Sequence, residues 1–386
     1  MTYLILIIIF LIPLFGHLSV KVSQRYYWFE CITVILVMGL RYYVGGDTIG
    51  YMTKYDYASP IYDLSVVDFV IAEYQPLWVV VQSICKTISE DFYILQLFVS
   101  TVINITVFWV IEKYASNKFL AGFLYMISNM LNFNCEVLRA AFSISVFFLA
   151  YEELLKKNLF RYYILVIIAF LFHDQAIILF LIPFVMPFLR KPMSPVLLCI
   201  LFLTGFLFTL PPVIALYAPY LPGDRGEKFA QGYASMSIGS VFGMIRTIIS
   251  VYLIYFITRT NFIKSNEKLL PAVNIYLCCN VIGICMPIFI TRVSQFFVIY
   301  YICALSTFIY LYKRSLAKTA VVAVWIFGVF RYYTQDVTSW VNSNEHATDR
   351  YYFYERFFPY YSIWEEPDQT VLMRRKEIAD QEMLKE

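Results

Sequence analysis

The sequence predicts an all-α polytopic membrane protein with about 12 transmembrane helices and one short surface or re-entrant helix. Three observations support this fold class. Of the 386 residues, 60% are apolar and only 15% are charged, which is far from the balance of soluble domains. The apolar residues form segments of roughly 20 residues, the length that crosses a bilayer. Lysines and arginines occupy the short connections on one side, which the positive-inside rule places in the cytoplasm.

The predicted spanning segments follow one another along the first 333 residues. They are 2–20, 28–44, 92–112, 119–134, 136–155, 160–173, 175–190, 196–217, 239–258, 270–290, 293–312 and 319–333. Residues 74–89 are also apolar, but counting them as a span would move Lys156 and Lys157 to the outer side. Gln75 and Gln82 suit a short surface or re-entrant helix that touches protein and water.

This topology places both termini outside the cytoplasm. It predicts a single transmembrane domain over residues 1–333, with outer loops at 45–74 and 217–237, followed by an outer tail at 334–386. No internal repeat and no low-complexity linker divides the chain.

Fixed charges gather at the outer ends of the predicted spans. They are Arg41, Asp47, Glu136, Arg139, His173, Arg246 and Arg292. An ionised side chain inside a bilayer costs about 2.5–3.5 kcal/mol even on insertion scales, so such residues are retained mainly where they function. The sequence therefore predicts a reaction site at one membrane face.

The first of these charges ends a predicted span. Arg41 precedes a turn in which Gly45 and Gly46 permit a sharp change of direction, and Asp47 follows directly. The turn can present a guanidinium and a carboxylate together to a substrate. The alternative is a structural Arg41–Asp47 ion pair that anchors the loop.

Glu136 and Arg139 lie three residues apart at the start of a helix and therefore share a face. Arg139 is suited to bidentate binding of a phosphate, although a purely structural pair with Glu136 explains the spacing as well. Arg246, inside its helix, needs a counter-charge that an anionic ligand would supply. Arg292 adds a fourth guanidinium at the same level.

His173 follows a helix and precedes Asp174 and Gln175. A lone histidine usually serves as a hydrogen-bonding residue, but its place among the arginines makes it a candidate general base.

The sequence contains no Asp-x-Asp pair, no His-Glu-x-x-His, no glycine-rich phosphate loop and no Gly-x-Ser-x-Gly. It therefore predicts no metal site, no cofactor and no acyl-enzyme chemistry. The net charge of +3 is too small to indicate a nucleic-acid partner.

At these residues the chain resembles the EpsG branch of the Wzy-type bacterial polysaccharide polymerases. The matching stretches are Arg41-Tyr-Tyr-Val-Gly-Gly-Asp47-Thr with Tyr51, Val137-Leu-Arg139-Ala-Ala-Phe-Ser-Ile-Ser with Lys156-Lys157, and Leu171-Phe-His173-Asp-Gln-Ala-Ile. Lys228-Phe229 with Tyr233, Arg292-Val-Ser-Gln-Phe-Phe and Phe358-Pro-Tyr-Tyr361 are looser matches. The chain departs from the family pattern at the residues after His173 and Arg139.

The resemblance implies a GT-C-like helical fold and a metal-independent glycosyltransferase. The enzyme would transfer a glycan from undecaprenyl pyrophosphate to the terminal sugar of a lipid-linked repeat unit, at the outer face of the bacterial cytoplasmic membrane. The product would be a capsule, O-antigen or secreted exopolysaccharide, and a chain-length regulator is an expected partner.

The resemblance also suggests roles for the candidate residues. Arg139, Arg246 and Arg292 would stabilise the charge of the pyrophosphate, and Arg41 would bind substrate. Asp47, His173 or Glu136 would accept the proton of the attacking hydroxyl, and Tyr51 and Tyr360 would stack on sugars. Interfacial anchoring explains the two tyrosines equally well.

Two alternatives remain open. An O-antigen-type ligase would use the same donor with a different acceptor. A polysaccharide flippase or transporter would instead place polar residues near the bilayer midplane on broken helices.

Overall fold

The computed structural model describes residues 1–16, 19–72, 74–217, 238–286, 292–313, 315–335 and 352–383. No β-strand occurs within these ranges, so the prediction of an all-α chain is confirmed for them. The predicted outer loop at 217–237 lies outside the described residues except for Tyr217.

The described residues form the following α-helices. They are α1 (Thr2–Phe15), α2 (Val20–Gly39), α3 (Gly46–Asp56), α4 (Val66–Ile71), α5 (Pro76–Ile88), α6 (Tyr93–Tyr114), α7 (Lys118–Ser128), α8 (Leu138–Leu155), α9 (Leu159–Phe172), α10 (Ile182–Leu189), α11 (Pro195–Leu207), α12 (Pro211–Tyr217), α13 (Ile238–Arg259), α14 (Asn261–Lys264), α15 (Leu270–Gly283), α16 (Val298–Leu311), α17 (Leu316–Tyr333) and α18 (Gln369–Met383). A π turn occurs at Asn132–Glu136, and 3₁₀ helices occur at Asp174–Leu181, Ser294–Phe296 and Phe353–Arg356.

Two of these helices, α6 and α17, are long and apolar enough to cross a membrane by length and composition. Several further apolar helices are shorter, at 10–17 residues. The predicted number of spans stays a prediction.

Some predicted segments are interrupted where the local sequence cannot continue a helix. The segment predicted at 196–217 forms α11 and α12, and α12 begins at Pro211, which has no backbone N–H to continue the preceding helix. The segment predicted at 119–134 ends as an α-helix at Ser128 and continues into the π turn at Asn132–Glu136. The segment predicted at 74–89 contains α5, with Pro76 at its first turn.

Contacts divide the chain into two compact units. The first comprises Met1–Phe180 and Ile326–Glu386, and the second comprises Leu181–Trp325. The described part of the tail packs within the first unit, where the Tyr360 hydroxyl donates to the Val37 carbonyl at 2.8 Å. The predicted boundary between a domain at 1–333 and a tail at 334–386 stays a prediction.

In the first unit, α2 and α6 pack closely. A Cβ on Gly39 would lie 2.6 Å from the Leu97 side chain, so the close approach requires glycine. The Gln96 amide donates to the carbonyls of Gly39 and Arg41 at 2.9 and 2.8 Å. These bonds satisfy carbonyls at the end of α2, which leads into the candidate site.

A buried polar network supports the π turn at Asn132–Glu136. The Asn104 amide donates to Asn134 Oδ1 at 2.8 Å, and the Tyr125 hydroxyl donates to Asn104 Oδ1 at 2.9 Å. The Asn134 amide in turn donates to the Met130 carbonyl at 2.8 Å. Buried polar groups that satisfy one another fix a local geometry, so the network holds Glu136 in place.

The second unit contains α10 to α16. The Asn274 amide donates to the carbonyls of Leu189 and Lys191 at 2.8 and 2.9 Å, which ties α15 to the end of α10. The rings of Tyr276 and Tyr301 stack with centroids 4.7 Å apart and join α15 to α16.

Candidate active site

The loop between α2 and α3 is built around the Arg41 guanidinium. Arg41 is 2% exposed and donates to the carbonyls of Met38 and Val44 and to the Thr48 hydroxyl. The alternative of an Arg41–Asp47 ion pair is not seen among the described contacts. The geometry favours a role for Arg41 in shaping the loop.

Two glycines bring this loop onto the π turn. Gly45 has φ +109°, a conformation that side chains other than glycine rarely adopt, and its added Cβ would lie 2.6 Å from the Cys135 Cβ. The Gly46 N–H donates to Glu136 Oε1 at 2.7 Å. Asp47 follows in the first turn of α3, where its exposed carboxylate faces the favourable end of the helix dipole.

The Glu136 carboxylate is held on both of its oxygens. Oε1 accepts from Gly46, and Oε2 lies 3.0 Å from Arg356 Nη1 in a buried ion pair. The i,i+3 pair with Arg139 is not formed among the described residues. We call Gly45, Gly46, Glu136 and Arg356 the loop anchor. Its bonding favours a positioning role for Glu136 over a role as the base.

Arg139 lies at the start of α8 with a different environment. Its Nη1 donates to Gln75 Oε1 at 2.9 Å and its Nε donates to the Tyr51 hydroxyl at 3.4 Å. The guanidinium lies over the Tyr74 ring at 4.1 Å from the centroid. We call Arg139, Tyr51, Tyr74 and Gln75 the arginine cluster. Within the described residues Nη2 has no hydrogen-bond partner, and the side chain is only half-buried.

Tyr51 lies on α3 and joins this helix to Arg139. Burial raises the pKa of Tyr51, with a smaller rise from the Asp47 carboxylate that the Arg139 guanidinium opposes. The phenol is therefore within electrostatic range of both charges. Its ring lies 5.8 Å from that of Trp78 on α5. The structure thus brings Asp47, Tyr51 and Arg139 near one another, and their predicted roles stay predictions.

His173 ends α9 and is 7% exposed. Its Nδ1 accepts the Gln175 N–H at 3.3 Å and lies 3.2 Å from an Asp174 carboxylate oxygen. In a neutral imidazole with Nδ1 as the acceptor, Nε2 carries the hydrogen and is a donor. Asp174 also acts electrostatically on Arg139, so the His173 turn lies beside the arginine cluster.

The remaining predicted site residues are Tyr360, Arg246 and Arg292. Tyr360 is half-buried against α2, where burial raises its pKa to about 12. Arg246 and Arg292 belong to the second unit, and both side chains are exposed there. Their predicted role in substrate binding stays a prediction.

Sequence reasoning missed the residues that hold the site together. Tyr74 and Trp78 are ordinary aromatic residues in a tyrosine-rich chain, and no spacing marks them. Gln75 carries a weak signal, since a polar residue precedes the helix-starting Pro76. Arg356 contacts Glu136 across 220 residues of sequence, a separation that no local pattern reveals.

A model of the EpsG family matches residues 24–362, which is most of the chain and includes every residue of the two clusters. The chain belongs to the EpsG family. The resemblance seen in the sequence is therefore confirmed, and EpsG membership indicates a membrane protein with a polysaccharide polymerase role. No curated protein and no solved structure matches the chain.

Proposed function

We propose that this EpsG family chain is a lipid-linked polysaccharide polymerase. It transfers a growing glycan from undecaprenyl pyrophosphate to the terminal sugar of a lipid-linked repeat unit, at the outer face of the bacterial cytoplasmic membrane. The site needs no metal in this proposal because guanidinium groups supply the positive charge.

The arrangement of Arg139 carries the proposal. Gln75 and Tyr51 fix two of its donor groups, and Tyr74 supports the plane of the guanidinium. The Nη2 group remains available in a half-buried setting, next to the first turn of α8. A fixed, partly desolvated guanidinium at a helix N-terminus is suited to the negative charge of a departing pyrophosphate.

The reaction uses a nearby base. The acceptor hydroxyl oxygen forms a bond to the anomeric carbon of the donor glycan, while the bond from that carbon to the pyrophosphate oxygen breaks. The hydroxyl proton passes to the Asp47 carboxylate, which is exposed and lies within electrostatic range of Tyr51, the residue that accepts from Arg139. His173 remains a second candidate base, because an imidazole nitrogen that carries no hydrogen can accept the hydroxyl proton.

The direct test is elongation of purified lipid-linked repeat units by the purified protein in detergent or liposomes. We expect Arg139→Ala to lower the rate by about 10²–10³, the usual loss when one preorganised donor to a developing anion is removed. Arg161→Ala is the matched control, since that guanidinium is 71% exposed at the far end of the α8–α9 hairpin. It should elongate like the wild type.

The products separate the alternatives. Ladders of increasing repeat number support polymerisation. Transfer of the glycan to a non-repeat acceptor without elongation would instead establish a ligase, and movement of the lipid-linked unit across liposomes without new glycosidic bonds would establish a flippase. Normal elongation by Arg139→Ala would refute the role given to this residue.

A further inference from the structure

We infer that residues 352–375 of the C-terminal segment are a positioning element of the candidate active site, with Arg356 as its principal positioning residue. The inference deepens the proposed function and rests on it for its catalytic consequence. Its structural part can be tested without any substrate.

Backbone hydrogen bonds join this segment to the loop that leads to Asp47. The Tyr42 N–H donates to the Tyr361 carbonyl at 2.8 Å, and the Gly45 N–H donates to the Arg356 carbonyl at 2.8 Å. The Ile363 N–H donates to the Leu40 carbonyl at 3.0 Å. Three successive points of the loop are therefore set by a segment more than 300 residues later in the chain.

Side chains of the same segment close around this loop. Arg356 reaches Glu136 with its guanidinium, and a Cβ added to Gly46 would lie 2.6 Å from Arg356 Nη1. Arg375 is 4% exposed and donates to the carbonyls of Tyr43 and Pro359 at 2.9 and 2.6 Å. The bond of Arg356 to Glu136 and the bond of Arg375 to the Tyr43 carbonyl hold the loop in place.

Removing Arg356 has a specific consequence. It leaves the buried Glu136 carboxylate without its cation and frees the turn that covers Cys135. Cys135 is fully buried directly beneath Gly45, so its thiol reports whether the loop is seated. Cys31, buried in the middle of α2, reports instead on general unfolding.

The experiment measures N-ethylmaleimide modification of each native cysteine in the purified protein by peptide mass spectrometry. We expect Arg356→Met to speed the labelling of Cys135 at least tenfold while Cys31 stays protected. Arg356→Lys keeps the charge beside Glu136 but loses the planar donors, and it should give an intermediate rate at Cys135. Arg374→Met is the control. Arg374 lies on the same segment and pairs with Glu355, but its side chain is 42% exposed.

Cys135 protection equal to that of the wild type in Arg356→Met would overturn the inference. An equal increase in the labelling rates of Cys135 and Cys31 in both Arg356 variants would also overturn it. Arg356 would then support the whole unit rather than the loop. In the elongation assay, Arg356→Lys should retain part of the activity that Arg356→Met loses. If no variant affects glycan length, Arg139→Ala included, the proposed function fails while the cysteine result still decides the role of the segment.

Discussion

The loop anchor and the arginine cluster lie in the same unit, but they use their charges differently. In the loop anchor, both oxygens of Glu136 are bonded and the ion pair with Arg356 is buried. In the arginine cluster, Arg139 is half-buried, lies over Tyr74 and keeps one terminal nitrogen without a partner among the described residues. The difference teaches that a charge at the end of an apolar segment is not by itself a catalytic group. Glu136, bonded on both oxygens, shapes the site, whereas the incompletely bonded Arg139 is the residue that we propose binds substrate.

The largest effect should come from Asp47→Asn, because the proposed base would lose its ability to accept a proton. We expect elongation to fall by about 10²–10⁴, with unchanged thermal stability. Asp56→Asn, an exposed change at the other end of α3, is the control and should be active. Full activity of Asp47→Asn would mean that another residue accepts the proton.

The free energy of unfolding of Arg356→Met tests how much the loop anchor stabilises the protein. Leaving Glu136 buried and unpaired should lower the free energy of unfolding by roughly 3–5 kcal/mol, and adding Glu136→Gln should recover part of that loss. Urea or thermal unfolding of the single and double variants measures it. Arg374→Met breaks an exposed pair and should change stability by about 0–1 kcal/mol. Similar losses for the two arginines would show that burial does not distinguish them.

Gly45→Ala tests how tightly the loop is seated. The left-handed φ of +109° and the 2.6 Å approach to Cys135 Cβ predict destabilisation of roughly 1–3 kcal/mol, measured by thermal unfolding. Gly328→Ala in α17 is the control, since an added Cβ there meets nothing within 4 Å. It should be neutral or slightly stabilising. A neutral Gly45→Ala would mean that the loop can move away from the π turn.

Gln75→Leu should weaken the arginine cluster without opening the loop anchor. Arg139 would keep its Tyr51 and Tyr74 contacts but lose the 2.9 Å bond that orients Nη1, so we expect about a tenfold lower elongation rate. Gln82→Leu, on the same helix, replaces an amide nitrogen that has no partner among the described groups and serves as the control. Equal effects of the two changes would point to packing of α5 rather than to orientation of Arg139.

The smallest effect concerns the surface loop before α5. Bonds from Ser59 and Ser65 lower the pKa of Asp68 to about 2, and Asp68 and Ser65 form the capping box of α4. A lowered carboxyl pKa stabilises the fold above the usual value near 3.8, and this contribution is lost as the pH falls through about 2. The difference in melting temperature between the wild type and Asp68→Asn should shrink over that range. A difference that is constant with pH would contradict the capping role.

Much of the fold could be predicted because its signals are local. Hydropathy located the long apolar helices, and Gly45 and Gly46 marked a turn that the structure also has. The ends of helices were less predictable where a π turn or an internal proline interrupts an apolar run, as at Ser128 and Pro211. The mean hydropathy of a segment hardly changes with one such residue, whereas a single residue can end the backbone hydrogen bonding of a helix.

The candidate site also has some residues that the sequence identified and others whose role only the structure shows. Asp47, Tyr51 and Arg139 were found from the sequence because charges and paired aromatic residues at the ends of apolar segments are unusual. The sequence also grouped Glu136 with the catalytic candidates, because its position resembles theirs. Only its contacts with Gly46 and Arg356 indicate a positioning role.

The sequence by itself determined the helical class, the family and the charged positions at the ends of apolar segments. These follow from composition and from residues within a few turns of one another. The tertiary structure alone decided which charges are saturated, since the pairing of Glu136 with Arg356 joins residues 220 positions apart. A side chain's role depends on the partners that folding brings to it, and those partners are set by helix packing rather than by neighbouring sequence.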